Sequence, residues 1–162
     1  MDESALTQLP NGSVLINMRH KCSAPGQCTD GHTHLGRGVA VSNDGGDSFG
    51  PIAYDAQLTA PICQASIVTF DNATYFSNPN SNNSRSHITI KKSTDNTLTW
   101  PKSLLVETEA SAGYSCLVTG AITEADGSAS DDGGLLYEST GATIKFVRFP
   151  LSLAMGEEGE GN

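Results

Sequence analysis

Apolar and β-branched residues fall into short runs along the chain: Ser13 to Met18, Arg37 to Val41, Ser66 to Phe70, Thr74 to Ser77, Ser86 to Ile90, Ser103 to Thr108, Leu135 to Glu138 and Thr143 to Phe149. Short runs of this kind, several of them alternating, predict β-strands. In His87-Ile88-Thr89-Ile90-Lys91 the two isoleucines share one face, and His87, Thr89 and Lys91 share the other. That is the signature of a half-buried antiparallel strand. Between the runs lie Pro10-Asn11-Gly12, Asn43-Asp44-Gly45-Gly46, Asp71-Asn72, Asn78-Pro79-Asn80 and Asp131-Asp132-Gly133-Gly134. Their Asn, Asp and Gly residues tolerate positive φ or cap their own backbone, and predict turns. No window of comparable length repeats at helical spacing, so the expected class is all-β. The final Gly156-Glu157-Glu158-Gly159-Glu160-Gly161-Asn162 is charged with nothing to bury, which predicts a flexible acidic tail over residues 153–162 behind a folded unit over 1–152.

One internal repeat sharpens the class. Ser42-Asn43-Asp44-Gly45-Gly46-Asp47-Ser48-Phe49 is followed 51 residues later by Ser93-Thr94-Asp95-Asn96-Thr97-Leu98-Thr99-Trp100. Each copy follows a strand. Each has the form Ser-x-Asp-x-(Gly)-x-(Ser/Thr)-aromatic: Ser42, Asp44, Gly46 and Phe49 in the first, Ser93, Asp95, Thr99 and Trp100 in the second. Asp and Ser can tie such a turn through backbone hydrogen bonds while the ring anchors the hairpin. The repeat length is close to that of a four-stranded propeller blade. At about ten strands the chain supplies two and a half to three blades, short of the roughly four that close a small propeller.

Composition narrows the partners. The 162 residues (16.9 kDa) include 37% hydrophobic residues, enough for one core, with 17 Gly and 7 Pro. Nine Lys and Arg stand against 18 Asp and Glu, a formal charge of -9, with a sequence pI near 4.6. That balance argues against electrostatic capture of nucleic acid or anionic lipid, so an anionic ligand needs a local basic site. No apolar run approaches a membrane span, and Met1-Asp2-Glu3-Ser4 has neither the basic nor the apolar segment of a secretory signal. The expectation is a soluble chain without its own address.

The two repeats resemble the Asp boxes of sialidases (exo-α-neuraminidases), whose fold is a six-bladed β-propeller. An Asp box is also found in other propellers and sugar-binding proteins. Further segments in the family's order strengthen the resemblance: Glu3-Ser4, Leu15-Ile16-Asn17-Met18-Arg19, Phe76-Ser77-Asn78-Pro79 with Ser84-Arg85-Ser86, Gly113-Tyr114-Ser115 and Leu136-Tyr137-Glu138. The similarity spans roughly residues 2 to 151 and corresponds to the C-terminal half of a sialidase of the bacterial and lysosomal type. It implies hydrolysis of terminal α-linked sialic acid from glycoproteins, gangliosides or oligosaccharides with retention. In that scheme Tyr114 is the nucleophile, Glu3 polarises it, and Arg19 and Arg85 are the second and third members of an arginine triad that grips the substrate carboxylate. Glu138 resembles the residue that braces the first arginine. The first arginine and the acid/base aspartate belong to the family's N-terminal half and have no counterpart here. Val147-Arg148-Phe149-Pro150 echoes the first arginine's motif but falls in the wrong strand. The expected partners are a sialylated glycan and the missing part of the propeller; no cofactor or metal is implied, and the chain alone is expected to turn over weakly or not at all.

The chemistry of that set has its own logic. Sialic acid carries a carboxylate on its anomeric carbon, so an incoming carboxylate would meet a like charge worth roughly 4 kcal/mol at 4 Å and an effective dielectric of 20. A neutral phenol avoids the clash. Its free pKa is about 10, so it needs a carboxylate such as Glu3 to take its proton. Arginines pair bidentately with carboxylates, and Arg19 and Arg85 would supply the positive field that the acidic chain lacks. Beside this stands a bland alternative, a noncatalytic propeller that binds carbohydrate or serves as a scaffold, in which Tyr114 is a rim residue and the arginines are solvated. Arg37 could neighbour the site, but the preferred expectation is that it faces solvent from its strand; Tyr54, Tyr75, Trp100 and Phe149 are expected to pack between blades.

Cys22, Cys28, His32 and His34 are zinc-ligand types, but their spacing suits neither a ribbon nor a finger. A loop insertion, closed by a Cys22–Cys28 disulfide if the compartment is oxidising, is the preferred reading. Cys63 and Cys116 are expected to be buried free thiols, Cys116 on the same strand face as Tyr114. Asn11-Gly12-Ser13, Asn72-Ala73-Thr74 and Asn82-Asn83-Ser84 satisfy the glycosylation sequon and favour a lysosomal or extracellular home over a cytoplasmic one.

Overall fold

The period-two runs form strands that pair with their sequence neighbours. In the computed structural model, which describes residues 1–21, 36–109, 113–123 and 129–153, eleven strands make three antiparallel sheets. The first sheet holds β1 (Ser4–Gln8), β2 (Val14–Met18), β3 (Arg37–Ser42) and β4 (Ala53–Asp55) in chain order. The second holds β5 (Ser66–Phe70), β6 (Ala73–Pro79), β7 (Ile88–Ser93) and β8 (Lys102–Glu107). The third holds β9 (Ser115–Thr123), β10 (Ala129–Ser139) and β11 (Thr143–Pro150). A 3-10 turn at Thr140–Ala142 is the one helical element among the described residues.

The first strands of the sheets are neighbours, β1 beside β5 and β5 beside β9, so the sheets repeat radially as propeller blades. Apolar side chains fill the two gaps. Leu9, Leu15, Leu58, Ile67, Phe76 and Trp100 pack between the first and second blades, with the Phe76 and Trp100 rings 5.8 Å apart. Tyr75, Ile88, Ile90, Leu117, Leu135 and Phe149 pack between the second and third, with Tyr75 6.2 Å from Phe149.

The two Asp boxes carry the same bonds. Ser42 Oγ donates to Asp44 Oδ1 at 2.6 Å and accepts from Gly46 N at 2.9 Å, and Asp44 Oδ1 accepts from Ser48 N at 2.9 Å. In the second box Ser93 Oγ donates to Asp95 Oδ1 at 2.8 Å and accepts from Thr97 N at 3.0 Å, and Asp95 Oδ1 accepts from Thr99 N at 3.0 Å. Each carboxylate saturates a turn that the flanking strands leave without partners. The aromatic positions differ: Trp100 is buried and donates Nε1–H to Asp55 Oδ2 at 2.9 Å, whereas Phe49 is 39% exposed and anchors less than its motif position suggests.

Several sequence expectations are corrected. Asp131 to Gly134 lie inside β10, all four paired with β9 and Asp132 to Gly134 with β11 as well, because Gly133 leaves room for the Phe149 ring, which would stand 2.1 Å from a Cβ there. Asn78 and Pro79 end β6 rather than turning, since Asn78 pairs with Thr89 and its Nδ2–H bonds Thr59 O at 2.6 Å. The strands β1, β4 and β9 were not among the predicted runs. Leu153, placed with the tail by composition, is 2% exposed in the core between the second and third blades. Cys22, Cys28, His32 and His34 lie outside the described residues, among which there is no grouping of metal-ligating side chains. No helix among the described residues is long and apolar enough to cross a membrane.

Candidate active site

The site begins with a hairpin. The β1–β2 register pairs Ser4 with Met18, and the ladder runs one step further through Arg19 N–H to Glu3 O at 2.9 Å. Glu3 and Arg19 therefore stand directly opposite each other, within reach of a cross-strand side-chain pair. Arg19 Nη1 lies 2.7 Å from each oxygen of Glu3. The 16-residue separation of this pair is the length of the hairpin.

Tyr114 reaches the pair from the third blade. It sits just before β9, where Glu138 holds its backbone twice: Tyr114 N–H donates to Glu138 Oε2 at 2.9 Å, and Glu138 N–H donates to Tyr114 O at 2.9 Å. The next residue is clamped from the loop before β5, with Gln64 Nε2 donating to Ser115 O at 3.0 Å and Gln64 Oε1 accepting from Ser115 N at 2.9 Å. So held, the Tyr114 hydroxyl donates to Glu3 Oε1. The Arg85 guanidinium carbon lies 5.6 Å from the centre of the Tyr114 ring, a cation–π distance, and Arg85 Nη2 points at Ile62 O 3.5 Å away. Tyr114, Glu3, Arg19 and Arg85 thus converge from all three blades.

The electrostatics assign the proton. The Tyr114 hydrogen bond, with help from Arg19, pulls Glu3 from its ordinary 4.5 down to about 2, against partial burial. The same bond, then burial and the Glu3 charge, push Tyr114 up, opposed by the nearby charges of Arg19 and Arg85. Burial alone would lower Arg19; its bonds to Glu3 outweigh that and raise it. At neutral pH the resting cluster is a neutral phenol on an ionised carboxylate beside two guanidiniums. Such a cluster can hold an anionic group and release the phenol's proton to the carboxylate.

A cleft of about 230 Å³ opens beside Tyr114, lined by Gln64, Cys116, Leu136, Glu138 and Ile144 among others. Cys116 lines the same cleft as Tyr114 but is exposed, not buried; Cys63 is free and fully buried, in the loop before β5 rather than in a strand. Glu138 braces Tyr114 itself. Tyr75, Trp100 and Phe149 are buried as expected, while Tyr54 is half-buried against the His20 ring at 4.7 Å. Arg37 overturns its expectation: it is 0% exposed, donating Nε–H to Asn17 Oδ1 at 2.8 Å and Nη1–H to Cys63 O at 2.6 Å. Gln64 escaped sequence reasoning, and so did the burial of Arg37, because their partners lie 51, 20 and 26 residues away, beyond any local pattern.

No family model matches the chain. Among curated proteins it is 37% identical over 164 residues to a sialidase of Micromonospora viridifaciens, the match covering 94% of this chain and 22% of that protein. Among solved structures it superposes on the Hadza microbial sialidase Hz136 with a TM-score of 0.70 and 30% identity, covering 93% of this chain and 27% of that one. It also superposes on the intramolecular trans-sialidase from Ruminococcus gnavus, in complex with oseltamivir carboxylate, with a TM-score of 0.67. There the identity is 20% over 93% of this chain and 32% of that one, a likeness of fold alone. The chain spans less than a third of each of these relatives.

Proposed function

The chain is a homologue of the sialidases, matching a segment of them over most of its own length, and on that premise we propose that it carries the nucleophile side of an exo-α-sialidase active site. The observation that carries this reading is the hydrogen bond from the Tyr114 hydroxyl to a Glu3 carboxylate that Arg19 holds in place. A scaffold has no use for a phenol tied to an ion pair across blades.

Arg19 and Arg85 bind the carboxylate of a terminal sialic acid and place its anomeric carbon at Tyr114. The Tyr114 oxygen attacks that carbon, its proton passes to Glu3, and the bond to the aglycone breaks with its electron pair leaving on the aglycone oxygen. The aglycone oxygen takes its proton from an acid that the family resemblance places outside the matched positions. Water, giving a proton to the same group that protonated the aglycone, then attacks the anomeric carbon; the bond to Tyr114 breaks with its electron pair on the tyrosine oxygen, which takes back the proton held by Glu3, and sialic acid leaves with net retention. The neutral nucleophile avoids repulsion from the substrate carboxylate, the reason such sites depart from a two-carboxylate arrangement. Glycoproteins, gangliosides and oligosaccharides with terminal sialic acid are the substrate class, and a complementary propeller segment is the partner that completes turnover.

The test is hydrolysis of a fluorogenic α-sialoside by this chain, alone and mixed with the N-terminal half of a related sialidase, with Tyr114→Phe as control. Activity that appears on complementation and is lost in Tyr114→Phe supports the reading. Silence from folded protein in every mixture, with sialic acid still bound, overturns catalysis in favour of a carbohydrate-binding propeller.

A further inference from the structure

Arg37 opens β3 and is fully buried, with the Phe76 ring centre 6.0 Å from its guanidinium carbon. Both of its acceptors are neutral, the Asn17 side chain and the Cys63 carbonyl. A buried cation held this way gains little for stability that a packed apolar side chain would not give, so its value lies in what it fixes. Burial lowers its pKa to about 10, which leaves it charged at neutral pH.

What it fixes lies on both sides of the site. Asn17 lies in β2, two residues before Arg19, which continues the β1–β2 ladder by one step, and side chains at that spacing share a face. On the other side, Cys63 follows Ile62, whose carbonyl faces Arg85. Ile62 has a φ of +53°, in the left-handed region that a β-branched residue adopts only when its surroundings hold it there. The Arg37 bond to the very next carbonyl is such a hold.

We propose that Arg37 is a positioning residue, a buried tie between the strand bearing Arg19 and the strained Ile62–Cys63 loop that seats Arg85, so that both guanidiniums face one ligand. The proposal rests on the reading of Arg19 and Arg85 as carboxylate-binding groups. Arg37 touches neither substrate nor reacting atoms in that reading; it acts through Asn17 and the loop.

The experiment compares the full chain with Arg37→Met, which keeps the stem without donors, and Arg37→Lys, which can reach one of the two acceptors. Two readouts are taken. The first is the rate at which N-ethylmaleimide labels Cys63, resolved from the other three cysteines by peptide mapping. The second is binding of 2-deoxy-2,3-didehydro-N-acetylneuraminic acid, followed by NMR titration. Release of the loop in Arg37→Met is expected to speed Cys63 labelling at least about tenfold and to weaken the ligand by about tenfold or more, with Arg37→Lys between it and the wild type. Unchanged labelling in folded Arg37→Met overturns the tie. Faster labelling with unchanged affinity overturns the positioning role. A wild-type chain that does not bind the ligand sinks the carboxylate-binding reading instead, and the labelling rate then decides the tie by itself. Should Arg37→Met fail to fold, Arg37→Lys carries the same two readouts.

Discussion

The Tyr114 hydroxyl donates its hydrogen to Glu3 Oε1 across 111 residues of chain and from the third blade to the first. This bond makes the two residues one proton-sharing unit, so removing either end should disable the same step. Glu3→Gln keeps the shape but cannot take the phenol's proton, and it also cancels the charge that Arg19 grips. In the complemented assay it is expected to cut kcat by about a hundredfold to ten-thousandfold, the usual range for a lost general base. Tyr114→Phe should go further and abolish covalent labelling by a 2,3-difluorosialic acid trap, read as the mass of the intact chain. A labelled Phe variant would remove Tyr114 from the mechanism.

Acid should unfold the chain through the same carboxylates. Glu3 is pulled from 4.5 to about 2 and Asp95 from 3.8 to about 2, both chiefly by side-chain hydrogen bonds, and Asp44 is held further below the usual range by Ser42 and Ser48. As pH falls below the unfolded values, the unfolded chain binds protons that the folded chain refuses. The stabilisation is therefore complete above about pH 4.5 and drains away as pH approaches 2. Thermal melts followed by circular dichroism should show a Tm that is flat from pH 7 to 5 and falls steeply below 4. Asp95→Asn should flatten that fall. A Tm unchanged between pH 5 and 2 would contradict the assignment.

How much of this was legible in the sequence depends on how local each cause is. The Asp boxes were, because Ser93 and Asp95 find their partners within a few residues. So were β5, a short β-branched run, and β7, whose two isoleucines stand at period two. β1 was missed because Leu6 is 59% exposed, so its hydrophobic pattern is weak; β4 has only three residues. Asp131 to Gly134 resembled a turn because glycine signals one in isolation, yet here it makes room for Phe149 inside a central strand. Glu3, Arg19, Arg85 and Tyr114 were legible only as an ordered set resembling a family. The convergence itself needs three blades, and the burial of Arg37 depends on Asn17 and on a carbonyl 26 residues away.

The second Asp box supplies a stability test independent of the site. Ser93 is 1% exposed and its Oγ serves both as donor to Asp95 and as acceptor for Thr97 N–H. Ser93→Ala leaves that amide without its acceptor and the carboxylate short of a donor. The expected loss is about 1–2 kcal/mol in urea unfolding, with the m-value unchanged. A loss below about 0.3 kcal/mol would mean that water replaces the hydroxyl without penalty, and the turn would not be the fastener its bonds imply.

Gly113 couples backbone conformation to the site directly, since it precedes Tyr114 and has a positive φ. Its φ is +94°, a region costly for residues with a side chain, and a Cβ there would lie 3.0 Å from Cys63 Sγ and 3.1 Å from Arg85 Cβ. Gly113→Ala therefore adds backbone strain and also presses on Cys63 and on Arg85, whose guanidinium stacks over the Tyr114 ring. The strain alone should cost about 1–2 kcal/mol, a Tm drop of roughly 2–8 °C for a chain of this size. The pressure on Arg85 should add a loss of affinity for the didehydro sialic acid, because the guanidinium over the Tyr114 ring is displaced from the ligand's carboxylate. A control at Gly45, whose φ is +77° but which has nothing within 4 Å of an added Cβ, separates the effects. Gly45→Ala should lower Tm by a similar amount and leave the affinity as it was. Equal affinity losses in the two variants would show that strain alone, transmitted through stability, accounts for both, and that Gly113 has no specific hold on Arg85.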